Sequence, residues 1–126
     1  MPSFVVEESS STVKVFWLDQ ESLLREIHKV AREVGNENEN VLKVVLFGSL
    51  TEKRAVPGSD ADILIVLRAD TKPFIDRVAE WLGKFAIDFP VETFPYTEEE
   101  LNNPFASQAM RTGITLFERS KANKNA

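Results

Sequence analysis

The sequence has no cysteine. Disulfides and thiolate metal sites are thereby excluded, and the compartment is left open by that count. It lacks an excess of basic charge: 15 Lys and Arg stand against 20 Asp and Glu, a net charge of -5. That balance argues against general affinity for a nucleic-acid backbone. No apolar run approaches the length of a membrane span, and the N-terminal MPSFVVEESS has no basic region followed by an apolar core. The cytoplasm is the expected location. There is no internal repeat. A single histidine, His28, lies on the flank of a predicted helix with no acidic partner at ligand spacing, which marks it as structural. With 126 residues the chain is expected to form one domain spanning 1–126, too short for a second substrate-binding domain. Residues 1–12 and 120–126 are expected to be mobile ends.

What is present is a regular alternation of elements. Phe4 to Val6 and Val13 to Trp17 are β-rich runs that form a hairpin or leave the first frayed and only the second paired. Asp19 reads as an N-cap. Leu23, Leu24, Ile27, Val30, Ala31 and Val34 recur at helical spacing, and Gly35-Asn36 is expected to stop that helix. After a polar loop, Val41 begins a hydrophobic strand, and Val56-Pro57-Gly58-Ser59 fits a type II turn. Beyond Leu67, Asp70 or Thr71 is predicted to cap a helix with the apolar stripe Phe74, Ile75, Val78, Ala79, Leu82 and Phe85. Trp81 belongs to the same broad face. Pro90 to Phe94 reads as a strand ended by Pro95. Thr97-Glu98-Glu99-Glu100 is a capping box, Asn103-Pro104 opens a further helix closed by Gly113, and Ile114 to Phe117 is the last strand. The order predicts an α/β or α+β fold, a mixed sheet with helices mainly on one face.

The chemistry concentrates between Val41 and Leu67. Two near-continuous aliphatic strands, each reading as covered on both faces, enclose Gly48-Ser49 and Asp60-Ala61-Asp62. A core strand has no packing reason to open with two carboxylates, because burying one uncompensated costs several kcal/mol. Asp60 and Asp62 lie two apart, so both leave the same face of an extended chain, an arrangement suited to a divalent cation with oxygen ligands. Gly48-Ser49 follows its strand where a tight turn presents backbone N–H groups and a hydroxyl to a phosphate. The Asp-x-Asp precedes its hydrophobic strand. In haloacid-dehalogenase-type phosphatases and many glycosyltransferases it follows one, which disfavours both families.

Gly48-Ser49, ten residues, then Asp60-x-Asp62 between hydrophobic strands resembles the signature of the polymerase-beta-type nucleotidyltransferase superfamily, and most closely its small stand-alone members. The resemblance implies a nucleotidyltransferase fold whose central strands carry the motif. It implies a metal-dependent transfer of a nucleoside monophosphate from an NTP to a hydroxyl, releasing pyrophosphate and using Mg²⁺ or Mn²⁺, two ions, with Asp60 and Asp62 as ligands. A two-metal site calls for a third carboxylate. Glu92, inside the strand-like run after Pro90, matches the family's third acidic position, with Asp88 as the alternative. The family usually has Asp there, and Glu extends the reach by one methylene. Gly48 and Ser49, with Lys53, Arg54 and Ser59 in the connecting turn, are the expected nucleotide-binding residues. The family's basic residue after Gly-Ser and its glycine three further on are replaced by Leu50 and Lys53. Many small members pair with a small helical HEPN-type protein, so an antitoxin-like or regulatory binding module is the competing reading, and self-association is left open. Phe94, Tyr96 and Phe105 can stack on a base, although aromatics at strand ends and helix starts are usually core.

Overall fold

The computed structural model describes residues 5–10, 13–18, 20–48 and 60–120. Strands β1 (Val5–Ser10) and β2 (Val13–Leu18) pair antiparallel from Val5↔Leu18 to Ser10↔Val13, the hairpin alternative of the two sequence readings. Helix α1 follows (Gln20–Glu37), then β3 (Val41–Phe47), β4 (Ala61–Leu67), α2 (Phe74–Leu82), β5 (Val91–Thr97), a 3₁₀ turn (Glu98–Asn102), α3 (Pro104–Thr112) and β6 (Ile114–Glu118). The four later strands form one sheet in the order β5-β4-β3-β6. The β3–β4 and β3–β6 pairs are antiparallel and β4–β5 is parallel. The sheet is mixed and the fold is α+β.

β3 and β4 are central strands, which is why their sequences are unbroken aliphatic runs: each face has a layer to meet. One face carries Val44, Leu46, Ile63 and Ile65 against Leu23, Ile27, Val30, Ala31 and Val34 of α1 and against Trp81 and Phe85. The other carries Leu42, Val45, Leu64 and Val66 against Ala106 and Ala109 of α3. Among the described residues, two of the three helices therefore share a face, and α3 lies on the opposite one. Fully buried aliphatic side chains such as Leu23, Ile27, Leu46 and Ile63 each contribute about 1.5–3 kcal/mol relative to exposure.

Four local expectations are corrected. Gly35 does not end α1, which runs on to Glu37. It is a contact point instead, since a Cβ there would meet the ring of Phe117 at 2.5 Å. The α2 stripe is largely outward: Ile75 is 77% and Leu82 44% exposed, Ala79 is exposed, and Arg77 and Trp81 face the core. Helical periodicity places Trp81 and Phe85 inward as found, but it leaves Arg77 outside, because the guanidinium finds partners that the local sequence does not reveal. The cap of α2 is Pro73, not Asp70 or Thr71. Asp70 instead accepts from the backbone N–H of Lys72 at 2.8 Å in the preceding turn. Pro95 does not end its strand, for β5 continues to Thr97. An edge strand tolerates a proline whose missing N–H faces away from the sheet. The Asp19 cap, the type II turn at 56–59 and all of the C-terminal tail after Ser120 lie outside the described residues.

The downstream caps are as expected. Thr97 and Glu100 form the capping box, around a 3₁₀ turn rather than an α-helix. Asn103 Oδ1 accepts from Phe105 N at 2.8 Å, with Pro104 in the first turn of α3. Arg119, just past β6, donates to Gly35 O at 2.6 Å, Asn38 O at 3.0 Å and Val41 O at 2.9 Å. The bond to Gly35 satisfies a carbonyl at the end of α1 that the helix itself leaves open.

Candidate active site

The ends of three strands assemble the site. β3 stops at Phe47, and Gly48 follows with φ +86°. Only glycine adopts that left-handed geometry without steric cost. Gly48 also lies against the carboxylate of Asp62, whose Oδ2 a Cβ would strike. The start of β4 is fixed by Ala61 N donating to Pro90 O at 2.9 Å. This bond holds Asp60 and Asp62 beside the entry to β5.

Register then decides what meets. Asp62 is the Cα partner of Phe47 on the antiparallel side and of Glu92 on the parallel side. Side-chain alternation puts Ala61, Ile63 and Ile65 toward α1 and α2, and Leu64 and Val66 toward α3. Asp62 is in step with Leu64 and therefore projects on the α3 side. Glu92, in step with Phe94 and Tyr96, projects on the same side. Asp60 and Asp62 are half-buried and Glu92 is exposed. Burial pushes the Asp62 carboxyl above the usual aspartate range, and the carboxylates of Glu92 and Asp60 push it further. Among the described residues no Lys or Arg forms an ion pair with any of the three.

The structure thus brings Asp60, Asp62, Glu92 and Gly48 to one end of one sheet face. Asp88 sits on an exposed bend and is not among the charges acting on Asp62. Ser49, Lys53, Arg54 and Ser59 lie outside the described residues, as does Leu50. His28 is exposed on α1.

Two supports were not legible in the sequence. Phe47 reads as an ordinary strand residue, yet register makes it the neighbour of Asp62. Arg77, 5% exposed, donates to Glu100 at 2.8 and 3.2 Å, to Pro95 O at 3.1 Å and to Lys72 O at 2.9 Å. It ties α2 to β5, the strand that carries Glu92. The capping box signals Glu100, but only for its bond from Thr97 N, at 2.8 Å.

The family model for polymerase beta nucleotidyltransferases matches residues 29–122. The chain belongs to this nucleotidyltransferase family. Every residue placed in the site lies within the matched span. A solved structure from Sulfolobus solfataricus, a candidate nucleotidyltransferase by its own description, superposes with a TM-score of 0.62 at 23% identity. The superposition covers 81% of this chain and 86% of that one. At that identity the likeness speaks for the fold alone. No curated protein matches the chain.

For this nucleotidyltransferase-family site the donor chemistry can be tested against a divalent cation. Half-buried and exposed carboxylates with no described cation to balance them are hard oxygen donors suited to Mg²⁺. Among the described residues, no three acidic or histidine side chains come close enough to hold an ion by themselves. Mg²⁺ characteristically binds through one or two carboxylates plus substrate phosphates rather than in an all-protein cage. The acidic cluster fits such a shared site.

Proposed function

We propose that this chain transfers a nucleoside monophosphate from an NTP to a hydroxyl acceptor, with Asp60, Asp62 and Glu92 as the acidic centre. The observation that carries the reading is the register: Asp62 and Glu92 face each other across β4 and β5, beside Gly48 and with no described counter-charge. Like charges placed directly opposite destabilise a sheet. A site that maintains such a pair is arranged for a cation it does not itself supply.

Asp60 and Asp62 would hold a Mg²⁺ or Mn²⁺ ion carried by the triphosphate, and Glu92 would share a second. When bound, such ions neutralise phosphate charge and lower the pKa of an attacking hydroxyl. Gly48 permits close backbone approach to the β- and γ-phosphates, and Ser49 is assigned as a hydrogen-bond donor to them. Lys53, Arg54 and Ser59 are proposed to line the same phosphates. The acceptor hydroxyl gives its proton to solvent and its oxygen attacks the α-phosphorus in line, the bond from that phosphorus to the bridging oxygen breaks, and pyrophosphate leaves. Glu92, one methylene longer than the aspartate usual in the family, acts on the acceptor side.

The test is pyrophosphate release from labelled NTPs in Mg²⁺ with a panel of hydroxyl acceptors, including any protein that co-purifies. Glu92→Gln is expected to cut transfer on the order of a hundredfold while sparing Mg²⁺-nucleotide binding to within a few fold. Equal transfer by Glu92→Gln, with loss in Asp88→Asn, would move the role to Asp88.

A further inference from the structure

On the α3 face of the sheet the acidic residues run directly into aromatic rings. Phe47 is the Cα partner of Asp62, and Phe94 lies two residues beyond Glu92 on β5. Phe105, in the first turn of α3, sits over both: its ring centroid is 5.5 Å from Phe47 and 5.1 Å from Phe94, and those two are 5.4 Å apart. Asn103 and Pro104 fix this placement, because the cap orients the first turn while Ala106 and Ala109 take the sheet-facing positions. Phe105 therefore remains 44% exposed although it touches two other rings. Tyr96 extends the row, 6.4 Å from Phe105.

We propose that Phe47, Phe94 and Phe105 form the shelf on which the base of the bound nucleotide stacks, with Phe105 supplying the exposed face. This rests on the nucleotide-transfer reading above. Two residues along a strand advance about 7 Å, the order of the span that a ribose puts between a base and its α-phosphate. A ligand whose phosphates lie at Asp60 and Asp62 thus has its base above these rings. Edge and tilted packing among the three holds Phe105 in place without covering its outer face. Stacking of this kind is tolerant of base identity, since every base has a π-face. The shelf accordingly contributes affinity for nucleotides over bare polyphosphate rather than choice among bases.

Calorimetric titration with Mg²⁺-ATP and with Mg²⁺-tripolyphosphate separates the shelf from the phosphate site. Phe105→Ala is expected to weaken ATP binding about five- to a hundredfold and to leave tripolyphosphate affinity within about twofold of wild type. Phe105→Leu, which keeps the apolar cover but has no π-face, should show the same selective loss, and Phe105→Tyr should retain ATP affinity. Unchanged ATP affinity in Phe105→Ala and Phe105→Leu overturns the proposal and leaves the rings as core edge. Equal loss for both ligands also overturns it, because the effect is then not on the base. If wild type binds neither ligand in Mg²⁺, the function proposed above fails and the shelf with it.

Discussion

Asp62→Asn tests the link between fold and site most sharply, because the two pull in opposite directions. Asp62 faces Glu92 across neighbouring parallel strands and is in step with Asp60 two residues earlier. Directly opposed like charges cost a sheet on the order of 0.2–1 kcal/mol. For a domain of this size that corresponds to a melting temperature higher by roughly 1–5 °C in the variant without metal at neutral pH. The pH dependence has a definite sign. Asp62's carboxyl is raised above its ordinary value of 3.8, so the folded state binds the proton more tightly than the unfolded chain. Its contribution at neutral pH is therefore unfavourable, and the penalty is relieved as pH falls through the raised value toward 3.8. The advantage of Asp62→Asn should be largest near neutrality and vanish below that ordinary value. The assay is thermal melting by circular dichroism from pH 7 to 3, with and without Mg²⁺-NTP. Wild type should gain stability from the nucleotide and the variant should not. A variant that melts several degrees lower at pH 7 without ligand would refute the reasoning, for Asp62 would then be a structural hydrogen-bond acceptor.

Further outcomes follow from other contacts. Arg77→Ala should cost about 1–3 kcal/mol, since it removes the charged donor shared by Glu100 and the carbonyls of Lys72 and Pro95; Glu100→Gln, whose side chain is 42% exposed, should cost about 1–2 kcal/mol after solvent screening, both read by urea denaturation. Arg77 and the Thr97 N–H hold the Glu100 carboxyl down at about 2, so its stabilisation is present above the ordinary value of 4.5 and is lost as pH falls through about 2; wild type and Glu100→Gln should converge in stability at that acid limit. Gly35→Ala, normally favourable within a helix, should instead destabilise by about 1–3 kcal/mol by pressing on Phe117, and Phe117→Leu should recover part of the loss in the same melts. Gly48→Ala should cost about 1–3 kcal/mol of backbone strain and, by displacing Asp62, abolish the stabilisation by Mg²⁺-NTP.

The central strands, the acidic pair and the caps at Thr97 and Asn103 were legible because their signals are local. An aliphatic run interrupted only by Gly-Ser and Asp-x-Asp carries its meaning within one stretch, and a capping box is complete in four residues. The positions that misled depend on distant partners. Arg77 looks like the polar side of α2 until Pro95 and Glu100 are brought to it. Gly35 looks like a helix stop until Phe117 packs on it. Register is equally nonlocal: that Glu92 lies opposite Asp62, and that Phe47 flanks the same aspartate, is fixed by strand pairing between segments far apart in the chain. The sequence offered both Asp88 and Glu92 as third carboxylates, and the pairing of β4 with β5 puts Glu92 beside the pair.

The central claim is that the cluster of Asp60, Asp62 and Glu92 holds a nucleotide through a divalent cation. Calorimetric titration of ATP into the protein, once with Mg²⁺ and once with EDTA, tests it directly. Binding that is clearly tighter with Mg²⁺ in wild type, and that loses this metal dependence in Asp62→Asn, is the predicted result. Equal ATP affinity in Mg²⁺ and in EDTA would contradict the account.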